Sequence, residues 1–467
     1  MSVTNVIGIA ARELRAQTQA RVVVRGDEDY IPTRRIWNEA VQDQPALIVV
    51  CKAAADVQAA LRIAREYRLP LSVRGGGHDW AGRALRHDGL VIDLSHMKQV
   101  SADVDASVAT IQGGATAAEV TSAVAPYGLV AATGSCGTVG IVGLTLGGGY
   151  GPLMPRYGLA SDNLLSAEVV LVDGRLVACD ERENTELFWA LRGGGGNFGV
   201  VTSIRVRLHP VREVLAGMIC FPISEAESVL RGYAEVIASA PEELSVSPAM
   251  VSRPDGSLVI DLAAMWSGES GQGEPWMARL KRLGTPLMEQ VSRITYRDWL
   301  GMFDSRIQPG RHCAAQSRWL AGFTPENIAS LVAGMQQLTS PFSGIILHHF
   351  RGAATRVPLG ATAFGLRKEH FMLEIVAIWE PSAEDDGVAH QQWARDISQN
   401  LAPYALPGGY PNMLGPEEHE QAALGFGDNL SRLQRAKRLF DPENVFSSTI
   451  SLPLPQTGAE QQNRVHD

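Results

Sequence analysis

Cysteine is scarce and scattered in this 467-residue chain. The five cysteines, Cys51, Cys136, Cys179, Cys220 and Cys313, are odd in number and far apart. They supply neither a disulfide framework nor a pair at metal-ligand spacing. Long apolar runs are also missing: no stretch approaches the roughly 18 residues of a membrane span, so no membrane association is expected. Basic clusters are lacking as well. Lys and Arg number 41 against 50 Asp and Glu, a formal net charge of −9, and an acidic surface is unsuited to nucleic acid or anionic membrane. Residues 1–19 do not follow the charged, apolar, small-residue order of a secretory signal, which makes a cytoplasmic location the expectation.

What the chain has in excess is glycine, 47 residues, gathered mainly in its first half. Apolar residues 46–51 read as a buried strand. Residues 53–67 carry Val57, Leu61 and Ala64 at helical spacing, and residues 71–73 read as a second strand. Residues 90–94, 107–112, 164–172 and 200–208 read as further strands, with helical patterns over 116–127 and 186–191. From His209-Pro210 onward glycine thins. Strand-like runs at 258–264, 344–350 and 371–379 alternate with helical segments such as 326–338, the pattern of an antiparallel sheet with helices. A basic helix over 429–439 precedes Asp441-Pro442-Glu443-Asn444. The expected organisation is α+β, in three parts: residues 1–208, 209–415 and 416–467, with the polar end 456–467 frayed.

Three glycine clusters are candidates for chemistry. Gly75-Gly76-Gly77 follows a strand and precedes His78. Consecutive glycines let backbone N–H groups converge on an anion, although a tight turn explains them equally well. Gly134-Ser135-Cys136-Gly137 runs on through Gly140 and Gly143 to Gly147–Gly151. Cys136 inside it is either an inert buried thiol or, among exposed amides, a reactive one. The third cluster, Gly194 to Gly199, matches G-x-G-x-x-G, but it follows a helix and precedes a strand, the reverse of a Rossmann site. It reads better as a loop along another cofactor. On the strand 344–350, Leu347, His349 and Arg351 share one face and His348 points to the other. Glu374, within an apolar strand, reads as a structural carboxylate in need of a partner.

Together these motifs carry a resemblance. They are Arg74-Gly75-Gly76-Gly77-His78, Gly134-Ser135-Cys136-Gly137-Thr138-Val139-Gly140, Gly147-Gly148-Gly149-Tyr150-Gly151, Tyr157-Gly158-Leu159-Ala160-Ser161-Asp162-Asn163, Leu187-Phe188-Trp189-Ala190-Leu191-Arg192-Gly193, Gly196-Asn197-Phe198-Gly199-Val200-Val201-Thr202 and Phe440-Asp441-Pro442-Glu443-Asn444-Val445-Phe446. Over nearly its whole length the chain resembles the berberine bridge enzyme-like branch of the vanillyl-alcohol oxidase superfamily.

The resemblance implies a two-lobed FAD-binding domain of the p-cresol methylhydroxylase type, a substrate domain built on an antiparallel sheet, and a C-terminal segment that returns to the FAD domain. It implies an FAD bonded through its 8-methyl group to His78 and through carbon 6 to Cys136. Cofactor contacts are expected from Arg74, Gly75, Gly76, Gly77, Gly134, Ser135, Val139, Gly140, Gly143, Asn197, Gly199, Val201 and Asn444. Val139 stands three residues after the tethering cysteine, where valine accompanies oxidases. The tyrosine that serves many members as base is replaced here by Met413, in Gly409-Tyr410-Pro411-Asn412-Met413. His349 is therefore the expected base, helped by Tyr410 and Asn412. The leading expectation is an oxidase that takes hydride from an alcohol or sugar-like small molecule and passes electrons to dioxygen. An oxidase of a cyclic amine or secondary metabolite is the second reading, and a flavin carrier without turnover the third.

Overall fold

A computed structural model describes residues 3–304 and 306–454; the 456–467 end lies outside the described residues. The first sheet has four strands in the order Arg21–Val24, Leu47–Val50, Leu90–Asp93, Leu71–Arg74. The last three are parallel, with Leu47 opposite Leu90 and Leu71 opposite Leu90. Helix Ala54–Glu66 makes the crossover and buries Val57, Leu61 and Ala64. Strand Leu47–Val50 is wholly apolar because both of its faces are covered. The Asp56 carboxylate starts the helix by accepting the N–H groups of Lys52 and Ala53 at 2.9 and 3.1 Å.

The second sheet is antiparallel and six-stranded. It runs Val100–Asp103, Val108–Gln112, Val200–Pro210, Leu164–Val170, Leu176–Cys179, with Leu129–Ala131 paired to the far end of the long strand. The segments 75–78, 134–151, which includes the helix Ile141–Leu146, and 193–199 all contribute to one cavity.

The third sheet has eight antiparallel strands: Met288–Ile294, Val214–Pro222, Leu258–Trp266, Leu244–Ser252, Gly344–Phe350, His370–Trp379, His312–Leu320 and Ala405–Leu406. Strand alternation gives it two different faces. Ile345, Leu347, Leu373 and Ile375 pack against helices Ala226–Ala238, Pro325–Gln336 and Val388–Leu401. The intervening residues, among them Ile346, His348, Glu374 and Val376, face a cavity shared with the glycine loops.

The chain end closes the structure. Helix Leu430–Phe440 buries Leu433 and Ala436 in the core of the six-stranded sheet. Beyond it, Phe446 packs into the core of the first sheet, and Ser448 bridges Ser72. Lys437, 2 % exposed, donates to Asp441 at 2.7 Å and to the carbonyls of Asn197 and Phe446 at 2.9 and 3.0 Å. Among the described residues no helix is long and apolar enough to cross a membrane.

Candidate active site

One cavity of about 510 Å³ lies between the glycine loops and the open face of the eight-stranded sheet, a size suited to a cofactor or small-molecule ligand. Gly75, Gly76, Gly77 and His78 line it, with Gly134, Ser135, Cys136, Val139, Gly140 and Gly143 and with Gly199 and Val201. Backbone approach explains the glycines. A Cβ on Gly76 would come within 2.5 Å of the Gly140 nitrogen, and one on Gly140 within 2.6 Å of the Gly76 nitrogen. The two loops pass each other too closely for side chains, so their peptide groups form the wall.

His78 is half-buried, and loss of solvation pushes its imidazole down to about 4, so the ring is neutral near pH 7. Its Nε2 is 3.8 Å from the Cys136 sulfur. Burial raises the Cys136 thiol above its ordinary value, and the Thr138 hydroxyl, 3.1 Å away, counters this in part. The amide loop thus does not make Cys136 acidic, one of the two states open from its sequence context. All five cysteines are buried and free. No cluster of potential metal ligands occurs among the described residues.

Three residues expected to touch the cofactor do not line the cavity. The Arg74 guanidinium turns under the loop to the Thr33 carbonyl at 2.6 Å and to Asp93 at 3.6 Å. The Asn197 amide is spent on the carbonyls of Gly194 and Ile450, at 2.8 and 3.0 Å. Asn444 takes a left-handed turn at φ 53° and donates its backbone N–H to Asp441. All three shape the loops from behind.

His349, the expected base, does not line the cavity. His349 is on the helix-covered face, stacked on Phe371 with ring centroids 4.2 Å apart. Its Nε2–H donates to Glu369 at 2.9 Å, and its Nδ1 faces the Tyr233 hydroxyl at 3.2 Å. Burial above all lowers its pKa; Arg351 adds to the lowering. The Arg351 guanidinium donates to the carbonyls of Ala240 and Pro241, at 3.0 and 2.8 Å. Neither side chain reaches the cavity.

Its neighbour His348 does. His348 Nε2 is 3.5 Å from Glu374 Oε1, and both residues line the cavity. Sequence reasoning read Glu374 as structural. The signal was there: it is the lone carboxylate of an apolar strand, on the face opposite Leu373 and Ile375. Around the pair the sheet wall is mainly apolar, with Met218, Ala249, Val251, Ala263, Ile346 and Val376, and Ser245 and Ser247 are its hydroxyl groups. One cross-strand row of pairings runs Cys220, Asp261, Ala249, Ile346, Glu374, Ser317. Asp261 and Glu374 are thus three strand spacings apart, roughly 14 Å, and Asp261 is matched by Arg306 at 3.1 Å.

Tyr410 and Asn412 also line the cavity. The Tyr410 hydroxyl accepts the Gly149 N–H at 3.1 Å and an Asn412 side-chain N–H at 2.8 Å. Burial raises its pKa well above the usual tyrosine value, so it keeps its proton. Met413 is the next wall residue.

The residues present fit a flavin: a backbone-lined trough for an anionic, extended group ends at a neutral imidazole and a thiol beside an apolar wall. Comparison with known proteins agrees. Residues 45–180 match the family model described as FAD binding domain, and residues 409–453 the one described as berberine and berberine like. The chain is 31 % identical over 446 residues to the uncharacterised FAD-linked oxidoreductase YvdP of Bacillus subtilis, covering 94 % of this chain and 98 % of the relative. It is 34 % identical over 281 residues to (R)-6-hydroxynicotine oxidase of Paenarthrobacter nicotinovorans, covering 60 % of this chain and 61 % of that one. The crystal structure of 6-hydroxy-D-nicotine oxidase from Arthrobacter nicotinovorans superposes with a TM-score of 0.85 at 28 % identity, over 93 % of this chain and 98 % of the other.

Proposed function

The chain belongs to the berberine bridge enzyme-like FAD-linked oxidoreductases, and on that premise we propose that it is an oxidase of a small, mainly apolar, ring-bearing amine or alcohol. A bound flavin supplies the two-electron acceptor for hydride, and dioxygen regenerates it with release of hydrogen peroxide. The observation that carries the reading is the Glu374–His348 pair, set in a mainly apolar wall of the cavity that His78 and Cys136 also line.

Loss of hydride from a carbon beside nitrogen or oxygen leaves positive charge unless a proton also departs. Glu374 takes that proton, and His348, 3.5 Å away, fixes the carboxylate and shares the charge. Tyr410, still protonated, and Asn412 hold the Gly147–Gly151 turn against the site through the hydrogen bonds to Gly149 and to the Leu144 carbonyl. The apolar wall excludes water from the reacting carbon. It also argues against a sugar. Each sugar hydroxyl buried there without a partner costs about 1–3 kcal/mol. The relative named (R)-6-hydroxynicotine oxidase supports the cyclic-amine reading. His78 and Cys136 are proposed as attachment points of the flavin, at its 8-methyl group and carbon 6.

Anaerobic mixing with panels of cyclic amines, aryl alcohols and sugars, followed by bleaching of the flavin band, tests the substrate class. Reduction by sugars alone sinks the apolar-substrate reading. Glu374→Gln is expected to slow flavin reduction about a hundredfold; reduction at the wild-type rate removes Glu374 from the mechanism. Acid precipitation tests attachment: the wild-type chain, His78→Ala and Cys136→Ala should each keep their flavin, and the double variant should lose it.

A further inference from the structure

Three consecutive residues outside every recognised motif bind the His78 loop on one side and the eight-stranded sheet on the other. Trp37 donates its backbone N–H to the Gly77 carbonyl at 2.9 Å. Its indole stacks on the His78 imidazole with centroids 4.5 Å apart and planes 15° apart. The indole N–H points away from the loop, to the Ile307 carbonyl at 3.4 Å. Asn38, 2 % exposed, is more fully engaged. Its amide N–H groups donate to the carbonyls of Trp80 and Cys313, at 2.5 and 2.9 Å, and its carbonyl accepts the Cys313 N–H at 2.9 Å. The Glu39 backbone N–H then donates to the Arg311 carbonyl at 3.1 Å.

Cys313 is the second residue of the strand that pairs with the one carrying Glu374, in the register Cys313 to Ile378 and Ser317 to Glu374. The segment 37–39 therefore ties the imidazole to the sheet that carries the cavity's acid–base pair. The ring bonds to its own backbone and its Nε2 lies 3.8 Å from the Cys136 sulfur, and the stack on Trp37 adds a flat surface that holds its plane.

We propose that Trp37 is a positioning residue for attachment of the flavin through His78, and that Asn38 keeps it in place by docking the His78 loop onto strand His312–Leu320. The inference rests on the reading that His78 is an attachment point. In the attachment step an imidazole nitrogen bonds to the flavin 8-methyl carbon. One hydrogen of that carbon and the imidazole N–H leave as protons, and the two electrons released pass to dioxygen, which with those protons becomes hydrogen peroxide. The protein contributes orientation. An imidazole free to swing about its χ angles spends little time with its nitrogen aimed at that carbon, and misplacement of about 1 Å can cost roughly a hundredfold in such a step. A flat ring clamped by another flat ring removes that freedom, and phenylalanine retains most of the clamp.

The test uses full-length protein incubated with FAD in air. Acid-stable flavin is followed by in-gel fluorescence and by the intact mass, which gains FAD less two hydrogens. In a Cys136→Ala background, where only the His78 bond can form, adding Trp37→Ala is expected to slow attachment about tenfold or more, and adding Trp37→Phe to leave it within a fewfold. In a His78→Ala background, Trp37→Ala is expected to leave attachment through Cys136 unchanged. That control separates aim at His78 from general damage to the site. Attachment at the parent rate in Cys136→Ala/Trp37→Ala overturns the proposal, and so does equal loss of the Cys136 bond in His78→Ala/Trp37→Ala. If Cys136→Ala alone holds no acid-stable flavin, the His78 attachment itself is wrong, and the Trp37 role falls with it.

Discussion

Two side chains show how strongly a site depends on single residues. Val139 is in the loop that passes His78 and lines the cavity beside Cys136. It is expected to leave room for dioxygen next to the flavin, space that a larger side chain would fill. Val139→Leu should slow reoxidation severalfold in stopped-flow mixing with air-saturated buffer, and leave anaerobic reduction intact. His370 works differently. Its Nδ1–H donates to the Lys368 carbonyl at 2.7 Å, so its Nε2 must accept the Tyr150 O–H, also at 2.7 Å. Burial pushes this imidazole down to about 3. The unfolded chain takes up a proton near pH 6.5 and the folded chain does not. The contribution of His370 to stability is therefore complete above about pH 6.5 and declines as pH falls toward about 3, by up to about 1.4 kcal/mol per pH unit. Melting temperatures measured from pH 7 to pH 4 should fall, and His370→Gln should start lower at pH 7 but fall less over the same interval.

The strand is the scale at which the sequence was both most informative and most misleading. Gly344–Phe350 was legible to the residue, because its apolar run is bounded by turn residues. Which of its two faces meets the cavity was not legible: alternation separates His348 from His349 but does not say which face the helices cover. That depends on partners far away in sequence, notably Tyr233 and Phe371. The glycine loops were legible for the opposite reason. Their close crossing permits hardly anything but glycine, so the constraint is written locally. The Trp37–Glu39 joint left no trace, since its meaning lies in residues 42 positions away, as with Asn38 and Trp80, and 275 away, as with Asn38 and Cys313. The strand geometry gives a paired expectation. His348→Ala should impair flavin reduction and leave the melting temperature nearly unchanged. His349→Ala should cost about 1–3 kcal/mol of stability through its lost buried hydrogen bonds and leave the reduction rate near wild type. Reversal of the two outcomes would restore His349 as the base.

Across the whole molecule, the parts are held by polar contacts that span long stretches of chain. Arg367 grips Asp162 at 2.7 Å, both nearly buried, and Arg432 binds Glu186 at 2.7 Å. Lys437 joins the tail to the Gly194–Gly199 loop through the Asn197 carbonyl. Lys437→Met leaves Asp441 charged and buried and two carbonyls without a donor. It should cost about 3–5 kcal/mol, read as a shift in the urea midpoint, together with faster loss of flavin from a variant lacking His78 and Cys136. Lys437→Met with Asp441→Asn should recover part of that cost; if the single variant is as stable as wild type, the tail is not a clamp.

The wall of the cavity is completed by Phe446, Ser448, Thr449 and Ile450, which stand beside Ser72, Gly195 and Gly196. A ribosome makes this chain from the other end. The glycine loops and both candidate attachment residues are made long before the segment that completes the wall over them. If His78 and Cys136 hold the flavin, a chain cut before Phe446 should retain less acid-stable yellow colour than the full-length chain.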